Sequence, residues 1–260
     1  MNDIILHYLI GFIFGISFFI LAWVSSVVVG KSSLIDSVWG FSFFLITLLY
    51  YYLSGKILTI LDYTFITVVF IWSVRLGIFL AIRFMSEGED KRYVEIKKNW
   101  NKSTFGFIGM FALQGFLASL LSIPMLLISH TPITSSFLFY IGLALIVIFT
   151  ILESLADYQL YTFKKKNKGV TCNVGLWAYS RHPNYFSEWM IWVGLFICCI
   201  PLGSIGVFSI FSVLIIYYLL NHVSGIPIIE KDAREGIYKR QGEEEYFKRT
   251  PAFFPALRRK

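Results

Sequence analysis

Arg181, His182, Asn184, Tyr185 and Glu188 carry most of the chemistry this chain offers. They lie in LWAYSRHPNYFSEWMIWVG (176–194), where polar groups crowd together just before an apolar run. Proline is tolerated in the first turn of a helix, since its missing N–H would have no intrahelical partner. A helix is therefore expected to start near Pro183, with Ser180 or His182 placed to cap it. Arg181, Asn184, Tyr185 and Glu188 then fall at i, i+3, i+4 and i+7, on one stripe. The free N–H groups and positive dipole end of such a helix suit a phosphate or carboxylate. A guanidinium adds a forked cation matched to phosphate oxygens. Glu188, a turn deeper, is placed to accept hydrogen bonds from an amide or a ribose. A basic and aromatic interfacial belt looks similar, but a belt does not need Asn and Glu on the same stripe.

Further ionisable residues sit inside apolar runs: Asp36 in SLIDSVWGF, Arg75 in IWSVRLGIFLAIRF, and Glu153 with Asp157 in ILESLADYQL. A charge at the centre of a bilayer costs about 2.5–3.5 kcal/mol on insertion scales, so such residues face a cavity or each other. Asp36 and Arg75 are a possible pair. Glu153 and Asp157 are four apart and share a helix face, so a cation or the hydroxyls of a ligand must offset their repulsion. The polar loop MSEGEDKRYVEIKKNW adds Arg92 and Tyr93 at a membrane surface. The tail alternates charge with aromatic residues, and it is expected to pack back under the helices and bring Arg234 and Tyr246 to the site.

The elements that position these residues follow from hydropathy. Hydrophobic residues make up 57% of the 260 and charged ones only 15%, against roughly a quarter charged in soluble domains. The expected fold is all-α: a polytopic integral membrane protein, a bundle of about seven transmembrane helices with a cytoplasmic cofactor cavity. The spans fall at about 4–29, 34–53, 57–82, 105–129, 137–161, 184–200 and 204–222. The N-terminal run lacks a basic n-region and is too long for a signal peptide, so it reads as a retained span. The whole chain, 1–260, reads as a single transmembrane domain, its catalytic-like portion covering about 105–260. Putting the three long polar segments and the Gly30 turn on one side gathers 21 of the 23 lysines and arginines there. By the positive-inside rule that side is cytoplasmic and the N-terminus is outside. The net charge of +7 is explained by the same rule, and no nucleic acid is expected. The three cysteines, Cys172, Cys198 and Cys199, have no metal-ligand spacing, and no metal is expected.

Taken together, GLWAYSRHPNYFSEW, GEDKRY, DSVWGF, VSGIPIIEK and YFKRTPAFFP resemble the bacterial branch of the steroid 5-alpha-reductase-like membrane family. Sterol reductases and isoprenylcysteine carboxyl methyltransferases share this superfamily. The resemblance runs over nearly the whole chain in the right order. It implies a seven-span bundle, a cofactor cavity open to the cytoplasm, and NADPH-dependent reduction of a carbon–carbon double bond in a sterol-like or other lipid. By motif, Asn184 and Glu188 match positions that contact the nicotinamide half. Asp157 matches an aspartate that helps hold the cofactor, and Glu153 a second polar contact. Arg181, Arg234 and Tyr246 take phosphate and adenosine, while Trp177, His182 and Tyr185 complete the expected cofactor-binding set.

Steroid reductases polarise the enone carbonyl with a glutamate on the second span and a tyrosine on the third. This second span has no obvious glutamate, and the corresponding third-span residue is Trp72. Asp36 is therefore the substitute candidate for the catalytic acid. In a dry site a carboxyl stays protonated and can donate a hydrogen bond. Tyr93 is the other catalytic candidate. The expected substrate is a flat, apolar lipid entering from the bilayer, and the expected location is the bacterial inner membrane. The alternative is an S-adenosylmethionine-dependent membrane methyltransferase of the isoprenylcysteine carboxyl methyltransferase type, which shares a similar RHP-x-Y segment. A third reading is a lipid-binding or assembly protein without catalysis.

Overall fold

The computed structural model describes residues 2–30, 32–87, 104–133 and 136–256. The helices are α1 (Asn2–Val29), α2 (Leu34–Ser54), α3 (Ile60–Glu87), α4 (Thr104–Leu121), α5 (Ile123–His130), α6 (Phe137–Lys166), α7 (Pro183–Cys199) and α8 (Ile210–Tyr218). Three short tail helices follow: α9 (Ile226–Ile229), α10 (Lys231–Arg234) and α11 (Glu243–Arg249). Among the described residues five helical segments are long and apolar enough to cross a membrane, or six if the bent pair α4–α5 counts as one span. The last of them, Pro183–Ile229, is 47 residues long. The chain is an all-helical, multi-pass membrane protein.

Two breaks differ from the uninterrupted spans expected at 105–129 and 204–222. α4 and α5 meet at a 43° bend. Pro124 sits in the first turn of α5, where its ring cannot donate to the preceding turn and so interrupts the ladder. The second break is a tight 3₁₀ stretch, Ile200–Ser209, interrupted at Gly203 (φ 80°, ψ −150°). That backbone conformation is open to glycine and strained for other residues. Regular α-helix resumes only at Ile210.

The chain forms two compact units. The first is Met1–Tyr140 with Phe196–Ser212, the second Ile141–Leu195 with Val213–Lys260. In the first unit α2 and α3 cross at glycine. A Cβ on Gly40 would lie 2.6 Å from the Gly77 Cα, and the Ser73 hydroxyl donates to the Gly40 carbonyl at 2.5 Å. Small residues at helix crossings let backbones approach closely in lipid. Phe43 stacks on Trp72 (5.4 Å, 23°) at the centre of this unit, and Cys198 and Cys199 are fully buried packing residues. Outward positions of α1 such as Leu6, Ile13, Leu21 and Val28 are exposed and apolar, as a lipid-facing surface requires.

In the second unit α6 and α7 also pack through a glycine. A Cβ on Gly194 would lie 2.9 Å from the Gly142 carbonyl. The short 3₁₀ turn Gly175–Ala178 rests on α6, with the Trp177 indole donating to the Ala156 carbonyl at 2.9 Å. The tail folds back as expected. Phe253 packs against Phe186, Trp189 and Tyr217 at 5.5–5.8 Å between ring centres.

Candidate functional site

α7 begins at Pro183, and the residues on either side of that proline face two different neighbours. Asn184 turns to α6, where its amide donates to Asp157 Oδ1 at 3.1 Å. Asp157 and, one turn earlier, Glu153 are 5% and 4% exposed. Glu188, one turn further along α7, is 7% exposed and accepts from the Trp192 indole at 3.0 Å. Three carboxylates expected to act together are thus buried on α6 and α7, and the part-buried Asn184 joins the two helices through Asp157. The Asn184 Oδ1 is buried with no hydrogen-bond partner among the described residues. A buried amide oxygen left without a donor costs about 1–3 kcal/mol, so this atom is suited to an N–H brought by a ligand.

Arg181 and His182 turn the other way, to the tail. The Arg181 guanidinium grips Glu230 with two bonds, Nε to Oε1 at 2.8 Å and Nη2 to Oε2 at 3.0 Å. Its Nη1 donates to the carbonyls of Phe247 (3.0 Å) and Thr250 (2.7 Å), and the group lies over the Phe247 ring. Its backbone N–H donates to the Pro251 carbonyl. His182 Nε2 lies 2.8 Å from Glu230 Oε1, and its ring stacks on Tyr185 at 5.4 Å. Arg234 reaches the same carboxylate at 3.6 Å. Tyr246 donates to the carbonyls of Trp177 (2.7 Å) and Ser180 (3.2 Å). Ser180 accepts from the His182 N–H and donates to the Phe253 carbonyl, so its hydroxyl ties the tail rather than a helix end.

Glu230 is the hub that sequence reasoning misses. It is 3% exposed, and burial alone would push its carboxyl up. The hydrogen bonds and charges of His182 and Arg181 overcome that and hold it down at about 2. The only sequence signal is a lone acid following the apolar run VSGIPII. Burial pushes the Tyr246 phenol above its ordinary range, so it stays a neutral donor. Arg181, placed by spacing on the Asn184 and Glu188 stripe, instead devotes four N–H bonds to the tail. Asp36 lies in the first turn of α2, in the first unit. Tyr93 and Arg92 lie outside the described residues. No group of three metal-ligating side chains occurs among the described residues.

Fold and residues together define a helical multi-pass membrane protein with a buried acid–amide cluster on α6 and α7, beside a carboxylate-centred knot that fixes the tail. The chain belongs to the family described as Protein of unknown function (DUF1295), whose model matches residues 22–250, a family related to the steroid 5-alpha-reductase-like proteins. No curated protein and no solved structure matches it.

Proposed function

We propose that this chain is an NADPH-dependent reductase of the bacterial steroid 5-alpha-reductase-like branch, acting on a carbon–carbon double bond in a sterol-like or other lipid taken from the bilayer. The observation that carries the reading is the buried Asn184 Oδ1, short of a donor, beside Asp157 and in a cluster with Glu153 and Glu188. A nicotinamide carboxamide offers the N–H₂ such an acceptor needs, and neighbouring carboxylates suit its amide and ribose hydroxyls. The residues fit the group. Bound there, NADPH supplies the hydride. Asp157 fixes which way the Asn184 amide points. The Trp192 indole holds Glu188 in place.

The same proposal places the protein in the bacterial inner membrane with seven crossings, the N-terminus outside and the C-terminus in the cytoplasm. Its support is the distribution of basic residues and the length of Pro183–Ile229. As one helix those 47 residues would run about 70 Å, twice the hydrocarbon thickness. The Gly203 break and the contact of the Trp189 and Tyr217 rings at 5.8 Å fit a segment that crosses and returns.

Calorimetric titration of the purified protein with NADPH, NADH and S-adenosylmethionine tests the proposal. NADPH is expected to bind, and Asn184→Ala and Asp157→Asn each to weaken it about tenfold, the value of one buried hydrogen bond. Binding of S-adenosylmethionine alone would replace the reductase with the methyltransferase reading. A folded protein that binds none of the three supports a lipid-binding or assembly role.

A further inference from the structure

The first unit contains a histidine pair that the proposed reductase chemistry does not use. His7, two turns into α1, and His130, the last residue of α5, lie with Nδ1 and Nε2 2.7 Å apart and ring centres 5.0 Å apart. The hydrogen-bond network fixes the tautomers. His130 Nδ1 is 3.0 Å from the Leu126 carbonyl, which can only accept. It is also 2.9 Å from Ser129 Oγ, whose own proton goes to Leu126. His130 Nδ1 therefore carries a proton and His130 Nε2 a lone pair. It follows that His7 donates from Nδ1, and its Nε2 is the atom left to take a proton.

We propose that His7 and His130 form a proton-controlled latch between α1 and α5, closed with no or one added proton and opened by two. The first proton enters at His7 Nε2, leaves the Nδ1–H···Nε2 bond intact and makes it charge-assisted. The second has only His130 Nε2 to occupy, which is the acceptor itself. Two N–H groups and two cations then face each other, the bond is lost, and the first turns of α1 part from the end of α5. The charged groups around the pair are Asp3, one turn before His7 on α1, and Lys56 from the α2–α3 connection. Lys56 is paired with Asp62 at 2.6 Å and also donates to the Thr131 carbonyl beside the latch. Further along α1, packing is close. Phe12 meets Phe116, and a Cβ on Gly115 would lie 2.7 Å from the Ile16 Cα. These contacts hold the rest of α1, so opening is confined to the start of the helix.

The chain has only four histidines, so ¹⁵N-histidine NMR of the full-length protein in nanodiscs reads the latch directly, with His182→Gln and His222→Gln assigning the other two. At pH 8 His130 is expected as the Nδ1–H tautomer. On acidification the His7 and His130 signals should move together in two coupled steps, and His130→Gln should turn His7 into a single independent titration. A double-mutant cycle of His7→Gln and His130→Gln on the unfolding equilibrium should show a roughly tenfold coupling at pH 8 that is gone at pH 4.5. Single, uncoupled titrations in the wild-type protein would overturn the proposal without any variant having to fold. So would the Nε2–H tautomer at His130, or a coupling of the same size at both pH values.

Discussion

Replacing Glu230 with glutamine removes one charge and almost no volume, and its cost follows from the structure. The carboxylate is 4% exposed and takes both prongs of Arg181 as well as His182 Nε2. Its acidity, held at about 2 against an ordinary 4.5, measures how much the folded state prefers it ionised. That gap corresponds to roughly 3 kcal/mol at neutral pH. The general cost of removing one partner from a buried ion pair, about 3–5 kcal/mol, agrees. The sign is that of a depressed carboxylate. The contribution is fully present above the unfolded value of 4.5 and is lost as pH falls through about 2.

For a chain of this size a loss of about 3 kcal/mol lowers the unfolding midpoint by roughly 6–12 °C. The assay is thermal unfolding of Glu230→Gln and wild type in the same detergent at pH 7, repeated down to pH 2.5. The two curves should converge as the medium is acidified. Limited trypsin digestion gives the spatial readout. Cleavage after Lys231, Arg234, Lys239 and Arg240 should accelerate in the variant, because Arg181 also holds the tail through the Phe247 and Thr250 carbonyls. A midpoint shift below about 2 °C at pH 7, or an unchanged cleavage pattern, would refute the claim that this carboxylate organises the tail.

Other substitutions test separate parts of the structure. Gly40→Ala puts a methyl group 2.6 Å from the Gly77 Cα and should cost about 1–3 kcal/mol as α2 and α3 are pushed apart. Gly109→Ala, in α4 with nothing within 4 Å of the added carbon, should be neutral or stabilise by up to about 1 kcal/mol. Thermal unfolding of the two variants separates close packing from general intolerance of larger residues. Tyr246→Phe loses the donor to the Trp177 and Ser180 carbonyls and should lower stability by about 1–3 kcal/mol, with the cofactor-binding stoichiometry unchanged by calorimetry. Phe253→Ala empties the aromatic cluster on α7 and α8 and should cost about 3–5 kcal/mol, read as a lowered midpoint and faster tail proteolysis.

The long helices are legible in the sequence because an apolar run of more than 20 residues in a membrane protein has essentially one structure open to it. α1, α2, α6 and the start of α7 fall within a few residues of their expected bounds. The bend between α4 and α5 is not legible, since LLSIPMLL is apolar throughout and only the proline interrupts it. The short extent of α8 is hidden for the same reason: hydropathy cannot tell a tight 3₁₀ stretch from an α-helix. At the site, the four-residue spacing of Glu153 and Asp157 and the i, i+4 spacing of Asn184 and Glu188 put each pair on one face of its own helix, while the meeting of Asn184 with Asp157 is seen only in the structure. Glu230 stays hidden because its partners are 48 and 49 residues away. The intervening tail has no periodicity that would say which of its many charges turns inward.

Arg181 shows why one compact motif serves two purposes. It precedes the helix, so its direction is set by the loop and not by the 100° step that relates Asn184 to Glu188. The contacts that pin the loop to the tail include the Arg181 N–H on the Pro251 carbonyl, the Ala256 N–H on the Tyr179 carbonyl, the Ser180 hydroxyl on the Phe253 carbonyl and the Tyr246 hydroxyl on the Trp177 and Ser180 carbonyls. With the backbone held there, the guanidinium meets Glu230. Pro183 then starts the helix, and the next side chain, Asn184, emerges toward Asp157 on α6. The tail is therefore part of what aims the acid–amide cluster. A change at Glu230 acts on the cluster through the one-residue link of Pro183, without touching any of its polar atoms.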